Sequence, residues 1–279
     1  MPASPVMNLP FGSKLKRLVE DAWDQYDYFK SQSRNDRRWH ISGNIPILYF
    51  GDIWSYLSSS VKIITVGYNP SEGEFSENRS SFQNLRRSNS SATYLKALNT
   101  YFENNPYDWF ENYQGVLEGL DATYGGKMEV AEKPKHMPHT VAIHTDLCSP
   151  LATHRTWADL PKKVRTVLQR EGACTWRSLV KDCLKPDIIM ISVAPQYMDD
   201  EIIPVNKLKT LMRIPSGRHE KPYPVKTGVL RYNGNKAVVV YGPLRRLPFL
   251  VAKQERSNIG RQVRKKYQSI LSQDPVSTL

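Results

Sequence analysis

Apolar and polar positions fall into two rhythms along the chain, and the change from one to the other marks its elements. In residues 13–29, Leu15, Leu18, Val19, Ala22, Trp23 and Tyr26 recur at helical spacing after Ser13, which predicts a packing helix. The stretch 61–71, VKIITVGYNPS, is different. Five of its first six residues are β-branched, so it reads as a short strand buried on both faces that stops at Gly67-Tyr68-Asn69-Pro70-Ser71. Gly67 admits close backbone approach or positive φ, and Pro70 drives Asn69 towards an extended conformation. Further strands are predicted over 140–148, ending at Ser149-Pro150, and over 187–193, ending at Ala194-Pro195. Val229–Tyr232 and Lys236–Tyr241 flank Asn233-Gly234, a hairpin signal. Helical patterns occupy 92–120, interrupted at Asn104-Asn105-Pro106, then 161–184, and finally a basic amphipathic segment at about 249–272.

Strands alternating with helices predict an α/β fold, three-layer α/β/α with a mostly parallel central sheet. Residues 1–44 are read as an N-terminal helical extension packed on a domain spanning 45–279. The strand tips after Val66, Ile143, Val193 and Val240 are expected to converge on one crevice, because ligands in open α/β sheets bind outside the carboxyl ends of the strands.

Charge sharpens the picture. With 39 Lys+Arg against 27 Asp+Glu, the net charge is +12, and a polyanion is the natural partner. Arg37-Arg38, Arg86-Arg87, Arg245-Arg246 and the run 261–266 (RQVRKK) spread that charge over separate points, as tracking a nucleic-acid backbone requires. No apolar run approaches the roughly 18 residues of a spanning helix, and no secretory leader is visible, so a cytoplasmic protein that does not engage membranes is expected; its oligomeric state is left open by the sequence, a monomer being the default expectation. Cys148, Cys174 and Cys183 are scattered, which supports neither a disulfide framework nor a four-thiolate metal site; no metal and no cofactor is expected.

Four segments together resemble the uracil-DNA glycosylase superfamily: GYNPS (67–71), Phe82 thirteen positions after Asn69, AIHTDLCSP (142–150) and VVVYGPLRR (238–246). The resemblance spans roughly residues 45–270 and implies that superfamily's fold and a monofunctional DNA glycosylase, with DNA as partner, that flips a pyrimidine and leaves an abasic site. It implies that Asn69 positions the attacking water, since an amide holds and polarises water but is no general base. Gly67 and Tyr68 would line the base pocket, and Phe82 would stack on the extruded base. His144 shares a strand face with Asp146 and would help orient the base. Many relatives carry His-Pro-Ser or Asn-Pro-Ser where this chain has Tyr241-Gly242-Pro243, so Tyr241 takes the place of the residue that stabilises the departing base. Leu244 would wedge into the base stack, with Arg245 and Arg246 on the vacated space or the phosphates.

Asp146 is the informative departure. Uracil readers commonly carry Asn there, whereas an ionised carboxylate only accepts and so suits the exocyclic amine of cytosine. The superfamily includes bacterial defence enzymes that excise glucosylated 5-hydroxymethylcytosine from phage DNA, and Asp146 with the polar segment 72–91 favours such a modified cytosine. Two alternatives stay open: repair of uracil or mismatched thymine, and a catalytically silent nucleic-acid-binding module.

Overall fold

The computed structural model describes residues 12–36, 39–76, 81–128, 140–154, 156–198, 207–215, 222–242 and 251–273. Its centre is a six-stranded sheet in which four parallel strands carry the apolar runs read from the sequence. These are β1 (Ile63–Gly67), β4 (Ile143–Asp146), β5 (Ile188–Ile191) and β8 (Asn235–Tyr241). β7 (Tyr223–Tyr232) and β6 (Lys209–Ile214) continue the sheet antiparallel, giving the order β4-β1-β5-β8-β7-β6. Two short strands, β2 (Ala122–Thr123) and β3 (Thr140–Val141), form a separate parallel pair.

Three of the parallel strands are buried along their whole length because helices cover the sheet. Residues Ile63 to Gly67, Ile143 to Asp146 and Ile188 to Ile191 are all buried, the state that near-continuous β-branched runs predict. The β7–β8 hairpin turns at Asn233 and Gly234, with φ of 45° and 77°, the left-handed pair that the Asn-Gly dipeptide supplies.

Around the sheet lie α1 (Gly12–Asn35), α2 (Ile53–Ser58), α3 (Ser91–Asn99), α4 (Glu111–Gly119), α5 (Lys162–Ser178) and α6 (Lys253–Gln273). The apolar stripe of α1 predicted from Leu15 to Tyr26 is buried, extends to Phe29, and joins the same hydrophobic core as the sheet. α5 runs on into a π-helical turn, Leu179–Leu184, closed by Lys185 in a left-handed conformation. Among the described residues no helix is long and apolar enough to cross a membrane.

Topology sets the site. From β1 the chain goes to β4 on one side and then to β5 on the other, so the direction of winding reverses at β1. A crevice opens at such a reversal, outside the carboxyl ends of the strands.

Candidate functional site

A cavity of about 810 Å3 occupies that crevice. The tips of three neighbouring strands meet in it: Gly67 ends β1, Asp146 ends β4 and Ser192 follows β5. Tyr68, Asn69 and His144 line it too, so five of the residues singled out in the sequence meet in one place.

Gly67 is there for space. Register pairs it with Asp146, and a Cβ built on it would lie 2.5 Å from Asp146 Oδ1 and 3.0 Å from His144 Nε2. Of the two roles open to this glycine, close approach is the one it fills, and what approaches is the pair of side chains at the tip of β4.

Asn69 is held by its amide nitrogen, which donates to Pro70 O at 2.9 Å, Leu151 O at 3.2 Å and Thr153 Oγ1 at 3.1 Å. Two of these partners are carbonyl oxygens that can only accept, which determines which way round the amide sits and leaves Oδ1 as the polar atom available to a water or ligand. Tyr68 ties the strand tips together. Its carbonyl accepts from Cys148 N and Ser149 N, and its hydroxyl accepts from Ala194 N at 2.8 Å.

His144 is 3 % exposed and anchored from behind. Its Nδ1 lies 2.8 Å from Thr65 Oγ1, which in turn lies 2.6 Å from the Tyr124 hydroxyl. Burial pushes the Tyr124 hydroxyl well up from its ordinary pKa, so it keeps its proton. With Nδ1 accepting from Thr65 the imidazole proton sits on Nε2, which lies 3.4 Å from Asp146 Oδ1; the other tautomer reverses the Thr65 link. A chain of three buried groups thus holds the ring in one direction beside the carboxylate. Cys148, two residues beyond Asp146, is no nucleophile: burial first, and the Asp146 charge second, push its thiol well up.

The chain matches no protein-family model, no curated protein sequence and no solved structure. Function must therefore be read from the cavity.

Two expected site residues are elsewhere. Phe82 is fully buried (0 % exposed), stacked on Tyr101 at 5.6 Å and 12° and flanked by Phe50 and Phe75. Residues 82–85 are not part of an open polar loop: Asn44 Nδ2 donates to the carbonyls of Phe82, Gln83 and Leu85 and pins them down. Phe75, seven positions before Phe82, is the ring of the segment 72–91 that lines the cavity. Tyr241 is 9 % exposed and does not line it. β8 lies one strand beyond β5, outside the β4–β1–β5 tips, and Gly242, at φ 134°, packs against Pro224 O. Leu244, Arg245 and Arg246 lie outside the described residues, as do Arg37 and Arg38.

Other lining residues escaped the sequence reading. Glu74 is 3 % exposed, accepts a short hydrogen bond from the Tyr101 hydroxyl, and belongs to a 3-10 turn (Glu72–Phe75) capped by Ser71. Tyr107, Trp109 and Trp157 add aromatic wall, and Glu72 pairs with His154 at the rim. The available signal for Thr65 was a lone hydroxyl in an otherwise apolar strand; for Glu74 it was a carboxylate five residues after Asn69.

Proposed function

We propose that this protein is a monofunctional DNA glycosylase that flips a pyrimidine, by preference a modified cytosine such as glucosylated 5-hydroxymethylcytosine in phage DNA, and hydrolyses its N-glycosidic bond. The observation that carries this reading is the meeting of Asn69 Oδ1 with the His144–Asp146 pair in one cavity at the strand tips.

Hydrolysis requires the base out of the stack, a water aimed at the sugar carbon, and support for the departing base. Asn69 Oδ1 accepts a hydrogen bond from that water and orients its oxygen lone pair. Water oxygen bonds to C1′, the C1′–N1 bond breaks with its electron pair leaving on the base, and the proton that the water sheds ends on that base. Asp146 accepts from the exocyclic amine of a cytosine ring. His144, held by Thr65, limits how far that carboxylate can turn. A cavity of about 810 Å3 is at the large end for a small-ligand site, which favours a base with a bulky substituent over a bare ring.

Tyr241 lies outside the cavity, and this favours a second reading, a nucleic-acid-binding module without catalysis. One assay separates them. Oligonucleotides carrying uracil, mismatched thymine, cytosine, 5-hydroxymethylcytosine or its glucoside, single- and double-stranded, are incubated with the protein and treated with hot alkali. Breakage at the glucosylated cytosine is expected. Asn69→Ala should lower single-turnover cleavage on the order of a hundredfold with little change in DNA affinity, because water positioning acts in the transition state. Asp146→Asn should narrow the preference over uracil by roughly ten- to a hundredfold, the worth of one good base-edge contact. Binding without breakage on every substrate would establish the silent module.

A further inference from the structure

Arg165, near the start of α5, is a half-buried cation held in one direction with no carboxylate to neutralise it. Its Nη1 donates to the Tyr197 hydroxyl at 2.7 Å, and its guanidinium carbon lies over the Tyr197 ring, 6.0 Å from the centre. Tyr197 is fixed in turn. Gln169, one turn further along the same face of α5, donates to its carbonyl at 3.2 Å, and its own N–H donates to Ala194 O. Among the described residues, Arg165 Nε and Nη2 meet no acceptor and no acidic side chain pairs with the guanidinium. The described acids nearest in sequence are engaged elsewhere: Asp159 accepts from the Thr156 hydroxyl and Glu171 pairs with Arg170.

The position of this cation links it to the cavity. Tyr197 packs edge-on against Tyr68, with ring centres 5.5 Å apart, and against Trp157 at 6.1 Å, and both of those rings line the cavity. Arg165 does not line it, so the charge stands one ring behind the cavity wall. Lys162 shares the helix face of Arg165, three positions earlier, and is exposed; the first turn of α5 contains no acidic residue. A guanidinium braced by an aromatic ring, with one N–H already placed, loses little freedom when its remaining donors meet a second acceptor. A phosphodiester suits them: its unesterified oxygens match the planar fork, and its charge supplies what no described side chain does.

We propose that Arg165, with Lys162 beside it, binds a backbone phosphate of the DNA strand whose base enters the cavity, anchoring that strand on the Tyr197 side. This rests on the glycosylase reading for the identity of the partner, but it is a statement about backbone contact and is tested apart from cleavage.

The experiment measures the affinity of the full chain for unmodified single- and double-stranded oligonucleotides by fluorescence anisotropy between about 50 and 200 mM salt. Arg165→Gln should flatten the dependence of log affinity on log salt by roughly 0.7–0.9 of a unit of slope, and adding Lys162→Gln should about double that change. Arg165→Lys, which keeps the charge and loses the fork, should keep the slope and weaken binding on every sequence. Tyr197→Phe removes the hydroxyl link and no charge, so it too should keep the slope, which separates phosphate contact from a role in packing Tyr197. An unchanged slope in folded Arg165→Gln, as pairing with Asp199, Asp200 or Glu201 outside the described residues would produce, overturns the inference. So does a slope that falls as far in Tyr197→Phe, or a wild type that binds no DNA. If the slope depends on Arg165 and no oligonucleotide loses a base, the glycosylase reading falls while the phosphate contact stands. If bases are released and the slope ignores Arg165, the reading stands and this inference falls.

Discussion

Thr65 is the one polar side chain in β1, and its hydroxyl links the buried Tyr124 hydroxyl to His144 Nδ1. Thr65→Val keeps the shape and the β-branched packing but removes both links. An orphaned buried hydroxyl costs about 1–3 kcal/mol, so a measurable loss of stability is expected. The discriminating readout is the imidazole. In the wild type, nitrogen NMR should find the His144 proton on Nε2; in Thr65→Val the two tautomers should mix, and base release should fall roughly tenfold, with both restored in Thr65→Ser. An unchanged tautomer in Thr65→Val would mean that Asp146 alone orients the ring. At this scale the sequence was legible where one residue type has one use. Gly67, Asn69, His144 and Asp146 all reached the cavity because each is a polar or minimal residue at the end of an apolar run. Phe82 did not, because a single ring in a polar segment carries no sign of whether that segment folds back, and here Asn44, 38 residues earlier, draws it into the core.

Helices and strands were legible where their periodicity was strong, and silent where contact is made by what a residue lacks. The buried stripe of α1 and the Asn-Gly hairpin followed directly from spacing. β6 did not: as an edge strand it exposes Lys209, Thr210 and Arg213, so its pattern looks like a connection. Nor did the packing of α4 on α6, where the backbones touch through glycine. A Cβ on Gly260 would lie 2.1 Å from Val116 O and 2.7 Å from Gly119 Cα. In an isolated helix Gly→Ala stabilises by about 1 kcal/mol. Here the helices must separate, and such overpacking typically costs about 1–3 kcal/mol. Gly260→Ala is therefore expected to lower the urea midpoint with an unchanged m-value. A raised midpoint would show that propensity prevails and that the two backbones are not in contact.

Over the whole molecule, the net charge of +12 is what the proposed reading uses to hold a polyanion. Not all of the charge is available for it. Arg87 is held by Asp24 and Asp27, Arg264 by Asp121, and Arg256 donates to Val251 O and Asn112 Oδ1. Arg86 is likewise turned onto the carbonyls of Gln83 and Leu85. Both members of the Arg86-Arg87 pair are thus engaged within the chain, which composition alone does not reveal. A phosphate contact releases counterions, so each one lost flattens the dependence of log affinity on log salt by nearly one unit of slope. Replacing Arg245 and Arg246 together by Ala should reduce the slope by roughly one to two units and weaken binding equally on every DNA sequence. Arg87→Ala, which breaks an internal pair, should leave the slope unchanged. The measurement is DNA affinity by fluorescence anisotropy between about 50 and 200 mM salt. A slope that falls as much for Arg87→Ala as for the Arg245 and Arg246 double variant would mean that the Asp24 and Asp27 pairing yields to DNA, and that the backbone track runs across α1.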